Sequence, residues 1–492
     1  MYFGYHDANI TFSSNDEVLL YLEAERVLGK KHMTFKSPGG MIALIRYGLK
    51  HLSLTIDDID LLYIAKWNNI LGEHDVEMLG KRFEPIMTSH HQNHIGSSYP
   101  AGFKDALVVC ADGGSEDGTS KLYFKKGNDV RMIEDLDDTP MTGKFFGTLT
   151  QMIIWPTMGR AHNTFPGKTM GLAALGHEDG DLSRLVSENW EEINKLHPEG
   201  VEELQKIFNI SSDYDKPWED QRRADLAYVG QKFWVEKFFE KIISYSHLSK
   251  NIALVGGCAL NVVLNSKLLE SGHFDEVYTS PVSGDPGQSL GAILYHNPSI
   301  KCSYPFLGRG FGDCEKVPDR LLEDFLSHKI IAWYQGRSEA GARALGHRSF
   351  LGLADSIEMR NRLSIQIKKR EPYRPVASII ASEFTEKFFD FKEGGSPFMT
   401  FSPKIKPITK KLAPAIVHFD DTSRVQTLTK EENPVLHQIL LLIGENTGAP
   451  IIMNSSFNVA NEPIIDTPED AFRNFFNSDC DVLYINGVRY EK

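Results

Sequence analysis

Short runs of consecutive apolar residues alternate along the chain with longer stretches whose apolar positions recur every three or four residues. The short runs are bounded by turn-forming residues and predict buried strands; they include Val18–Leu22, Leu61–Ala65, Ala106–Ala111, Val277–Thr279, Ile330–Tyr334 and Val482–Ile485. The longer stretches predict helices and include Met41–Leu52, 145–158 and 183–250. Strands that alternate with helices indicate the α/β class. No apolar run approaches the roughly 20 residues of a membrane-spanning helix.

Two strand–turn–strand units carry an acidic residue at the turn. In the first, the apolar segment Tyr2–Asn9 holds His6 and Asp7, and it pairs as a hairpin with the next strand. In the second, a buried strand runs into the tight turn Asp112-Gly113-Gly114, and two further strands pair across residues 127–129. This repetition suggests a duplicated nucleotide-binding fold. A segment rich in proline and glycine, 302–316, then predicts a linker to a second part of the chain.

Length, charge and cysteine content narrow the class of protein. A chain of 492 residues is too long for one ordinary core, so two or three domains are expected. The net charge of −13 disfavours wholesale binding to a nucleic acid backbone, although a local basic patch remains compatible with it. Five scattered cysteines suit a reducing compartment and offer no zinc-site spacing. The N-terminus lacks the pattern of a signal peptide, and we expect a cytoplasmic protein.

The segment His-His-Gln-Asn-His, residues 90–94, carries the first candidate chemistry. His90 and His94 are four residues apart, so on a helix they lie on one face, where two neutral imidazoles can hold a transition-metal ion. Asp112 and Asp285 each sit at a glycine loop and would complete a metal site if the fold brings them close. The alternative is a surface helix with scattered histidines.

Glycine-rich turns form a second group of candidate sites. The strand that begins at Ile252 runs into Gly256-Gly257, and a helix with Asn261 in its first turns follows. Glycines there allow close approach of a phosphate or adenosine at a helix N-terminus, while tight packing of helix on strand is the alternative. Lys168 and Gly171 could contact the same kind of ligand, although the segment lacks the glycine spacing of a Walker A loop.

A dense set of cations marks the second part of the chain. Its members are Arg343, Arg348, Lys368, Lys369, Arg370 and Arg374. Arginine offers a planar fork to phosphoryl oxygens and lysine adds a point charge, so the set predicts a phosphate site. A solvated basic face is the alternative. Arg424 and Gln426 alternate onto one face of a further strand, and Ser456 and Asn458 follow another strand, where such groups commonly line a site.

In combination and in this order, the motifs of the chain resemble those of the O-carbamoyltransferases of the antibiotic and nodulation-factor type, which include tobramycin, cephem and novobiocin carbamoyltransferases and nodulation protein U. The resemblance covers nearly the whole chain. Beside the residues already named, it rests on His6-Asp7, Glu25-Arg26, Met170-Gly171-Leu172-Ala173, Gly256 to Asn261, Arg343 to Ser349, Lys368 to Pro375 and Asn454 to Asn458.

The resemblance implies a domain division and a two-step reaction. Residues 1–315 would form a duplicated actin/hexokinase-like (ASKHA) domain similar to the tRNA threonylcarbamoyladenosine transferase. Residues 325–492 would form an α/β domain similar to threonylcarbamoyl-AMP synthase. The second domain would make carbamoyl-adenylate from carbamoyl phosphate and Mg-ATP. The first would transfer the carbamoyl group to an acceptor hydroxyl at a divalent transition metal, Fe(II) by preference, with Mn as an alternative.

The resemblance also implies a role for each matched residue. His90, His94, Asp112 and Asp285 would bind the metal, and His6 would be the general base. Arg343, Lys368 and Arg374 would neutralise the phosphates during adenylate formation. The remaining matched residues would contact the nucleotide or its phosphates, namely Lys168, Gly171, Gly256, Gly257, Asn261, Arg348, Arg370, Arg424, Ser456 and Asn458.

The acceptor implied is a small molecule with a hydroxyl group, such as a sugar, an antibiotic or a hydroxymethyl compound. A hydroxymethylpyrimidine nucleotide or DNA is less compatible with the acidic charge, no membrane contact is expected, and a homodimer would suit the family. Two other functions remain open on the sequence. One is a fused tRNA threonylcarbamoyladenosine-type transferase, and the other is a non-catalytic nucleotide-binding module of the ASKHA type.

Overall fold

The computed structural model describes residues 1–4, 6–35, 38–65, 76–154, 166–195, 198–211, 216–392 and 394–492. Two compact units are present. The first combines Met1–Pro100 with Asp285–Lys492, and the second is Ala101–Gly284. Both units contain helices and strands, which confirms the α/β class. No described helix combines the length and the apolar content that crossing a membrane requires.

The first segment of unit one opens with an antiparallel hairpin. Strand β1, Asn9–Ser13, pairs with strand β2, Val18–Glu23, so the predicted hairpin is confirmed. The predicted strand over Tyr2–Asn9 is wrong, because Tyr2 forms one isolated bridge to Asn9 and the ladder begins only there. Asp7 has a φ of 56° and ends any extended run before β1. The later elements are α1 (Ala24–Leu28), α2 (Pro38–Leu52), β3 (Tyr63–Ala65), β4 (Val76–Met78), β5 (Lys81–Phe83), β6 (Ile86–Thr88) and α3 (His90–Gly96).

Helix α2 covers the hairpin. Its inward positions Met41, Leu44, Ile45 and Leu49 follow helical spacing and are buried, as the sequence predicts. They belong to one apolar core with the inward residues of β1 and β2, which include Ile10, Phe12, Leu20 and Leu22. Burial of this face fixes the hairpin, and the segments just before and after it carry His6, Asp7, Glu23 and Arg26.

Unit two is built on a five-stranded sheet in the order β11-β10-β7-β8-β9. Its strands are β7 (Asp105–Ser115), β8 (Gly118–Lys126), β9 (Asp129–Asp135), β10 (Asn251–Val255) and β11 (Glu276–Thr279). Strands β7, β10 and β11 are parallel, and β8 and β9 add an antiparallel meander, which confirms the predicted pairing across 127–129.

One strand boundary in unit two is wrong in the sequence interpretation. We expect β7 to end before Asp112, but it continues to Ser115. Its register with β8 shifts between Ala111 and Ser115, which is a β-bulge. A bulge inserts extra residues into a strand and re-aims their side chains, so Asp112 lies inside an irregular strand and not in a turn.

The helices of unit two are α4 (Gly143–Ile154), α5 (Pro166–Leu172), α6 (Gly180–Glu188), α7 (Trp190–Ile193), α8 (Pro198–Ile207), α9 (Gln221–Ser244) and α10 (Val262–Glu270). The helix predicted over 145–158 is confirmed as far as Ile154, and residues 155–158 lie outside the described residues. The helical stretch predicted over 183–250 consists of several helices, the longest of which is α9.

The second segment of unit one contains a seven-stranded mixed sheet in the order β15-β14-β16-β13-β12-β17-β18. Its elements are α11 (Gln288–His296), α12 (Leu321–Leu326), β12 (Ile331–Tyr334), β13 (Arg348–Leu353), α13 (Ile357–Asn361), β14 (Ala377–Ala381), α14 (Thr385–Phe388), α15 (Pro407–Leu412), β15 (Val425–Leu428), α16 (Pro434–Thr447), β16 (Ile451–Ser456), α17 (Pro468–Phe476), β17 (Val482–Ile485) and β18 (Val488–Glu491). One strand has no counterpart in the sequence prediction: β18 pairs antiparallel with β17 at the edge of the sheet.

The connections of this sheet carry the predicted cations. Arg343 lies between β12 and β13, while Ser456 and Asn458 lie at and just beyond the end of β16. Lys368 follows a π-helical turn, Arg362–Ile367, an irregularity that is frequent at functional sites. The described helical segment ends there, and Pro372 and Pro375, which cannot lie inside a regular helix, follow it.

Candidate functional site

Helix α3 buries its histidines. Ser89 caps the helix, and its hydroxyl accepts a hydrogen bond from the Gln92 amide. His90 is 2% exposed and His94 is 1% exposed, so the alternative of a surface helix with scattered histidines is wrong. Their Nε2 atoms are 3.0 Å apart, which places two imidazole nitrogens at one buried point.

Close packing against α11 holds α3 in place. A Cβ added to Gly291 would lie 1.7 Å from the carbonyl oxygen of Asn93, so only glycine allows the two helices to approach this closely. Asn93 donates to Gln288 across the interface at 2.9 Å, and Gln288 donates back to the carbonyl of His90 at 3.2 Å. These contacts fix the face that carries His90 and His94.

Asp285 completes a three-residue donor set within unit one. Its Oδ1 lies 3.4 Å from His90 Nε2 and 3.6 Å from His94 Nε2. That oxygen is buried and accepts no hydrogen bond from a described residue. Two ligands about 2.1 Å from one ion and at right angles to each other are about 3.0 Å apart, which is the separation of the imidazole nitrogens. The residues therefore fit a divalent metal ion, and two histidines with one carboxylate are typical of non-haem Fe(II) sites.

The second oxygen of Asp285 faces the N-terminal segment. Tyr2 donates its hydroxyl to Asp285 Oδ2 at 2.7 Å, and His6 Nε2 lies 3.6 Å from the same oxygen. The side chain of Asn9 donates to the Asp285 carbonyl at 3.0 Å, so β1 also holds the backbone of this loop. The predicted general base and the predicted metal ligands are thus neighbours.

A chain of hydrogen bonds joins His6, Asp7 and His32. Asp7 Oδ2 lies 2.7 Å from His6 Nδ1, and Asp7 Oδ1 lies 2.8 Å from His32 Nδ1. Burial acts to raise the pKa of the Asp7 carboxyl, but hydrogen bonds from His32 and His6 outweigh it and hold this pKa below its usual range. Burial acts to lower the pKa of His32, but Asp7 outweighs it and raises this pKa. Asp7 can therefore orient the His6 ring through its Nδ1, which is the support that a general base requires.

The carboxylate of Asp112 accepts hydrogen bonds from two backbone amides of unit two. Asp112 Oδ1 accepts from the Gly113 amide, and Asp112 Oδ2 accepts from the Gly257 amide at 3.1 Å. Its service as a fourth metal ligand remains a prediction. Lys168 and Gly171 lie on α5, and Gly171 is buried.

Gly256 and Asn261 have clear structural duties. Gly256 has a φ of 86°, and an added Cβ would lie 2.1 Å from the Ala111 carbonyl oxygen, so it permits close approach of β10 to β7. Asn261 caps α10 by accepting from the amides of Val263 and Leu264. These contacts agree with the packing alternative, and nucleotide contact at Gly256, Gly257 and Asn261 stays a prediction.

Four arginines of unit one form a cluster, which we call the arginine cluster: Arg343, Arg370, Arg374 and Arg424. Burial, and then the charge of Arg374, lowers the pKa of Arg343 to about 10 and that of Arg370 to about 9. Burial and the charges of the other three lower the pKa of Arg424 well below its usual range.

The arginine cluster has little internal neutralisation. Glu371 lies 3.5 Å from Arg374, but no carboxylate among the described residues forms an ion pair with Arg343, Arg370 or Arg424. The Nε of Arg424 is buried and has no hydrogen-bond partner in the described part of the chain. Uncompensated cations with an unused donor can bind a multiply charged anion.

Lys368 lies beside the cluster and contacts both predicted residues after β16. Its Nζ donates to the carbonyl and hydroxyl of Ser456, at 2.7 and 3.3 Å, and to the carbonyl and side chain of Asn458, at 2.5 and 2.8 Å. Burial, and then the charge of Arg370, lowers the pKa of Lys368 well below its usual range. The structure therefore brings Lys368, Ser456 and Asn458 together, as a shared ligand site requires.

Arg348 is placed differently from the other predicted cations. It is fully buried and stacks over the Tyr334 ring, with its guanidinium carbon 3.6 Å from the ring centre. Its N–H groups donate to the carbonyls of Arg309, Gln335, Gly336, His347 and Asp466. Since these contacts use its donors, the structure gives Arg348 a role in supporting the β12–β13 connection.

Two contributors to the site, Tyr2 and His32, were not singled out from the sequence. Each is distant in sequence from the residue that it supports. A histidine at the end of a charged segment gives no sign that it will meet Asp7. Only the pairing of β1 with β2 brings the two segments together.

Comparison with known proteins covers most of the chain. Residues 75–294 match the family model described as "Carbamoyltransferase N-terminus", and residues 323–492 match "Carbamoyltransferase C-terminus". Nodulation protein U of Rhizobium tropici is 32% identical over 78% of this chain and 72% of its own. Nodulation protein NolNO of Sinorhizobium fredii (strain NBRC 101917 / NGR234) is 26% identical over 99% and 79%. The 3'-hydroxymethylcephem-O-carbamoyltransferase of Streptomyces clavuligerus is 27% identical over 80% and 78%.

Proposed function

Because the chain belongs to the carbamoyltransferase family, we propose that this transferase is an ATP-dependent O-carbamoyltransferase that works in two steps. Residues 325–492 form carbamoyl-adenylate from carbamoyl phosphate and Mg-ATP. Residues 1–315 then transfer the carbamoyl group to an acceptor hydroxyl. The observation that carries the proposal is the arginine cluster, because four arginines with so little internal neutralisation need a multiply charged anion.

In the first step, the arginine cluster and Lys368 hold two phosphate-bearing substrates close together. Positioning and charge neutralisation are what such phosphoryl chemistry chiefly demands. Water first cleaves carbamoyl phosphate to carbamate and phosphate, which is released. A carbamate oxygen then attacks the α-phosphorus of ATP, and pyrophosphate leaves as the carbamoyl-adenylate forms. Ser456 and Asn458, which Lys368 orients, contact the nucleotide.

In the second step, the acceptor hydroxyl attacks the carbamoyl carbon, and AMP leaves. His6 takes the hydroxyl proton at Nε2, while Asp7 accepts from its Nδ1 and keeps the ring in the required orientation. His32 holds Asp7 in its ionised form. A divalent metal ion held by His90, His94 and Asp285, with Asp112 as the predicted fourth ligand, would supply Lewis-acid polarisation of the carbamoyl group or orient its phosphate.

The acceptor class follows from the relatives. The name of the Streptomyces clavuligerus relative indicates a hydroxymethyl acceptor. We propose a small molecule with a sugar or hydroxymethyl hydroxyl as the acceptor here.

The test measures pyrophosphate from ATP with and without carbamoyl phosphate, in the presence of Mg²⁺ and of Fe(II) under anaerobic conditions. Release that depends on carbamoyl phosphate supports the first step, and Lys368→Met should abolish it. A panel of sugars, aminoglycosides and hydroxymethyl compounds is then screened for the mass gain of one carbamoyl group. If wild-type protein releases no more pyrophosphate than Lys368→Met, the proposed function is wrong. Binding of ATP without release would instead favour a nucleotide-binding module.

A further inference from the structure

Two buried charged residues of the N-terminal segment contact the loop that carries Arg343. Glu23 ends β2 and Arg26 lies on α1, and their side chains are 6% and 4% exposed. Glu23 Oε1 accepts from the Gly341 amide at 2.9 Å, and Arg26 Nη2 donates to the Gly341 carbonyl at 2.5 Å. The N–H and the carbonyl of Gly341, two positions before Arg343, are thus both hydrogen-bonded to side chains of the N-terminal segment of unit one.

The rest of this loop is also tied down. Glu339 Oε1 accepts from the amides of Leu345, His347 and Arg348 at 2.8 to 3.0 Å. The carbonyl of Ala344 accepts from Asn454, and that of Leu345 accepts from Gln426. On the side before Arg343, the hydrogen bonds of Gly341 to Glu23 and Arg26 fix the backbone in the same way. Gly341 has a φ of 91°, which glycine adopts without strain.

Arg343 needs such support because its neighbours repel it. The charge of Arg374 opposes its own, and Arg424 lies within range of both. A flexible loop would relieve this repulsion by carrying the guanidinium towards solvent. A fixed backbone keeps it facing its like-charged neighbours, where a bound anion is stabilised most.

We propose that Glu23 and Arg26 are positioning residues that clamp Gly341 and thereby hold Arg343 ready for the phosphate-bearing substrate. The inference rests on the proposed function for its effect on catalysis, but the clamp itself is a property of the loop. It assigns a role in adenylate formation to residues far from 325–492 in sequence.

The experiment uses the full-length protein and four variants. Glu23→Ala removes the acceptor for the Gly341 amide, while Glu23→Gln keeps an acceptor oxygen of the same reach. The combined variant Glu23→Leu/Arg26→Met removes both charges, so that neither is left buried without its partner. Arg46→Met removes an exposed cation of α2 and serves as the matched control.

Two readouts are measured for each variant. Hydrogen–deuterium exchange of residues 340–346 reports on the clamp without any need for activity. The KM for carbamoyl phosphate in the pyrophosphate-release assay reports on Arg343. Glu23→Ala and the combined variant should exchange faster over 340–346 and show a KM about tenfold higher, with kcat changed less. Glu23→Gln and Arg46→Met should stay within about threefold of wild type in both readouts.

The outcomes separate the clamp from the proposed function. Unchanged exchange over 340–346 in both Glu23→Ala and the combined variant overturns the clamp, whatever the activity. Faster exchange with an unchanged KM overturns the positioning of Arg343. If Glu23→Gln changes exchange and KM as much as Glu23→Ala does, the charge of Glu23 has only a structural role and the clamp through its acceptor oxygen is overturned. If wild-type protein releases no pyrophosphate, the proposed function is wrong, and the exchange comparison still decides the clamp.

Discussion

Replacing Arg370 by methionine should stabilise the ligand-free protein while weakening its hold on anions. Burial and the charge of Arg374 lower the pKa of Arg370 to about 9. At about 1.4 kcal/mol for each tenfold change in acidity, a few kcal/mol opposes the charged side chain in the folded protein. Methionine has a similar length and no charge, so part of this cost disappears. A gain of 1 kcal/mol or more corresponds to a melting temperature higher by about 2 °C.

The assay is thermal unfolding with and without carbamoyl phosphate. A ligand that binds only the folded protein raises the melting temperature more when it binds more tightly, so the rise at a fixed carbamoyl phosphate concentration should shrink in Arg370→Met. The matched control is Arg348→Met, because Arg348 donates to five carbonyls and stacks on Tyr334. That variant should melt several degrees lower, since each buried carbonyl left unpaired costs about 1–3 kcal/mol.

The reasoning is refuted if Arg370→Met melts lower than wild type and carbamoyl phosphate protects both proteins equally. Arg370 would then be a structural residue like Arg348. A lower melting temperature with lost protection would show that burial of the side chain, and not its charge, dominates.

Three further predictions concern the metal site and the base. His94→Ala should lose bound metal and carbamoyl transfer but keep pyrophosphate release. Metal analysis, the mass of the product and a pyrophosphate assay measure these three properties. Loss of pyrophosphate release would contradict the division into two steps. Asp7→Asn should lower the pKa of His32, followed by its imidazole NMR signals. The stabilisation from the raised His32 pKa is present below about pH 6.5 and is lost as pH rises through the folded-state pKa of His32. The stabilisation from the lowered Asp7 pKa is present above about pH 3.8 and is lost as pH falls through the folded-state pKa of Asp7. The difference in melting temperature between Asp7→Asn and wild type should therefore be largest between these two pH values. Gly291→Ala should push α11 away from Asn93 and reduce Mn²⁺ affinity with a lower melting temperature; normal affinity would show that helix packing does not position the histidines.

Local patterns were sufficient to predict most individual elements. The hairpin of β1 and β2, the buried strand β12 and the helix α2 follow from spacing and turn residues. Each of these features depends on residues that are near one another in sequence, and hydrophobic burial reinforces the local preference.

Features that depend on distant pairing were not predictable. The order of the seven-stranded sheet joins β12 to β17 and β13 to β16, about 100 or more residues apart in each case. The bulge that places Asp112 inside β7 leaves no mark in the sequence beyond two glycines. Likewise, the sequence does not distinguish the roles of Arg348 and Arg343. In the structure, Arg348 donates to backbone carbonyls, whereas Arg343 faces the like charge of Arg374. The identity of an arginine's partners is decided by tertiary structure.

Asp285 divides its two carboxylate oxygens between different tasks. Oδ1 faces the histidine pair of α3, and Oδ2 accepts from Tyr2 and lies near His6. Any change in the orientation of this one side chain therefore alters both the proposed metal site and the surroundings of the proposed base. Loss of activity on substitution of Asp285 would not identify which task failed, whereas Tyr2→Phe leaves the oxygen that faces the histidine pair intact and perturbs the other side alone. A histidine or asparagine at position 285 that still held the proposed ion would leave Tyr2 and His6 without their common carboxylate.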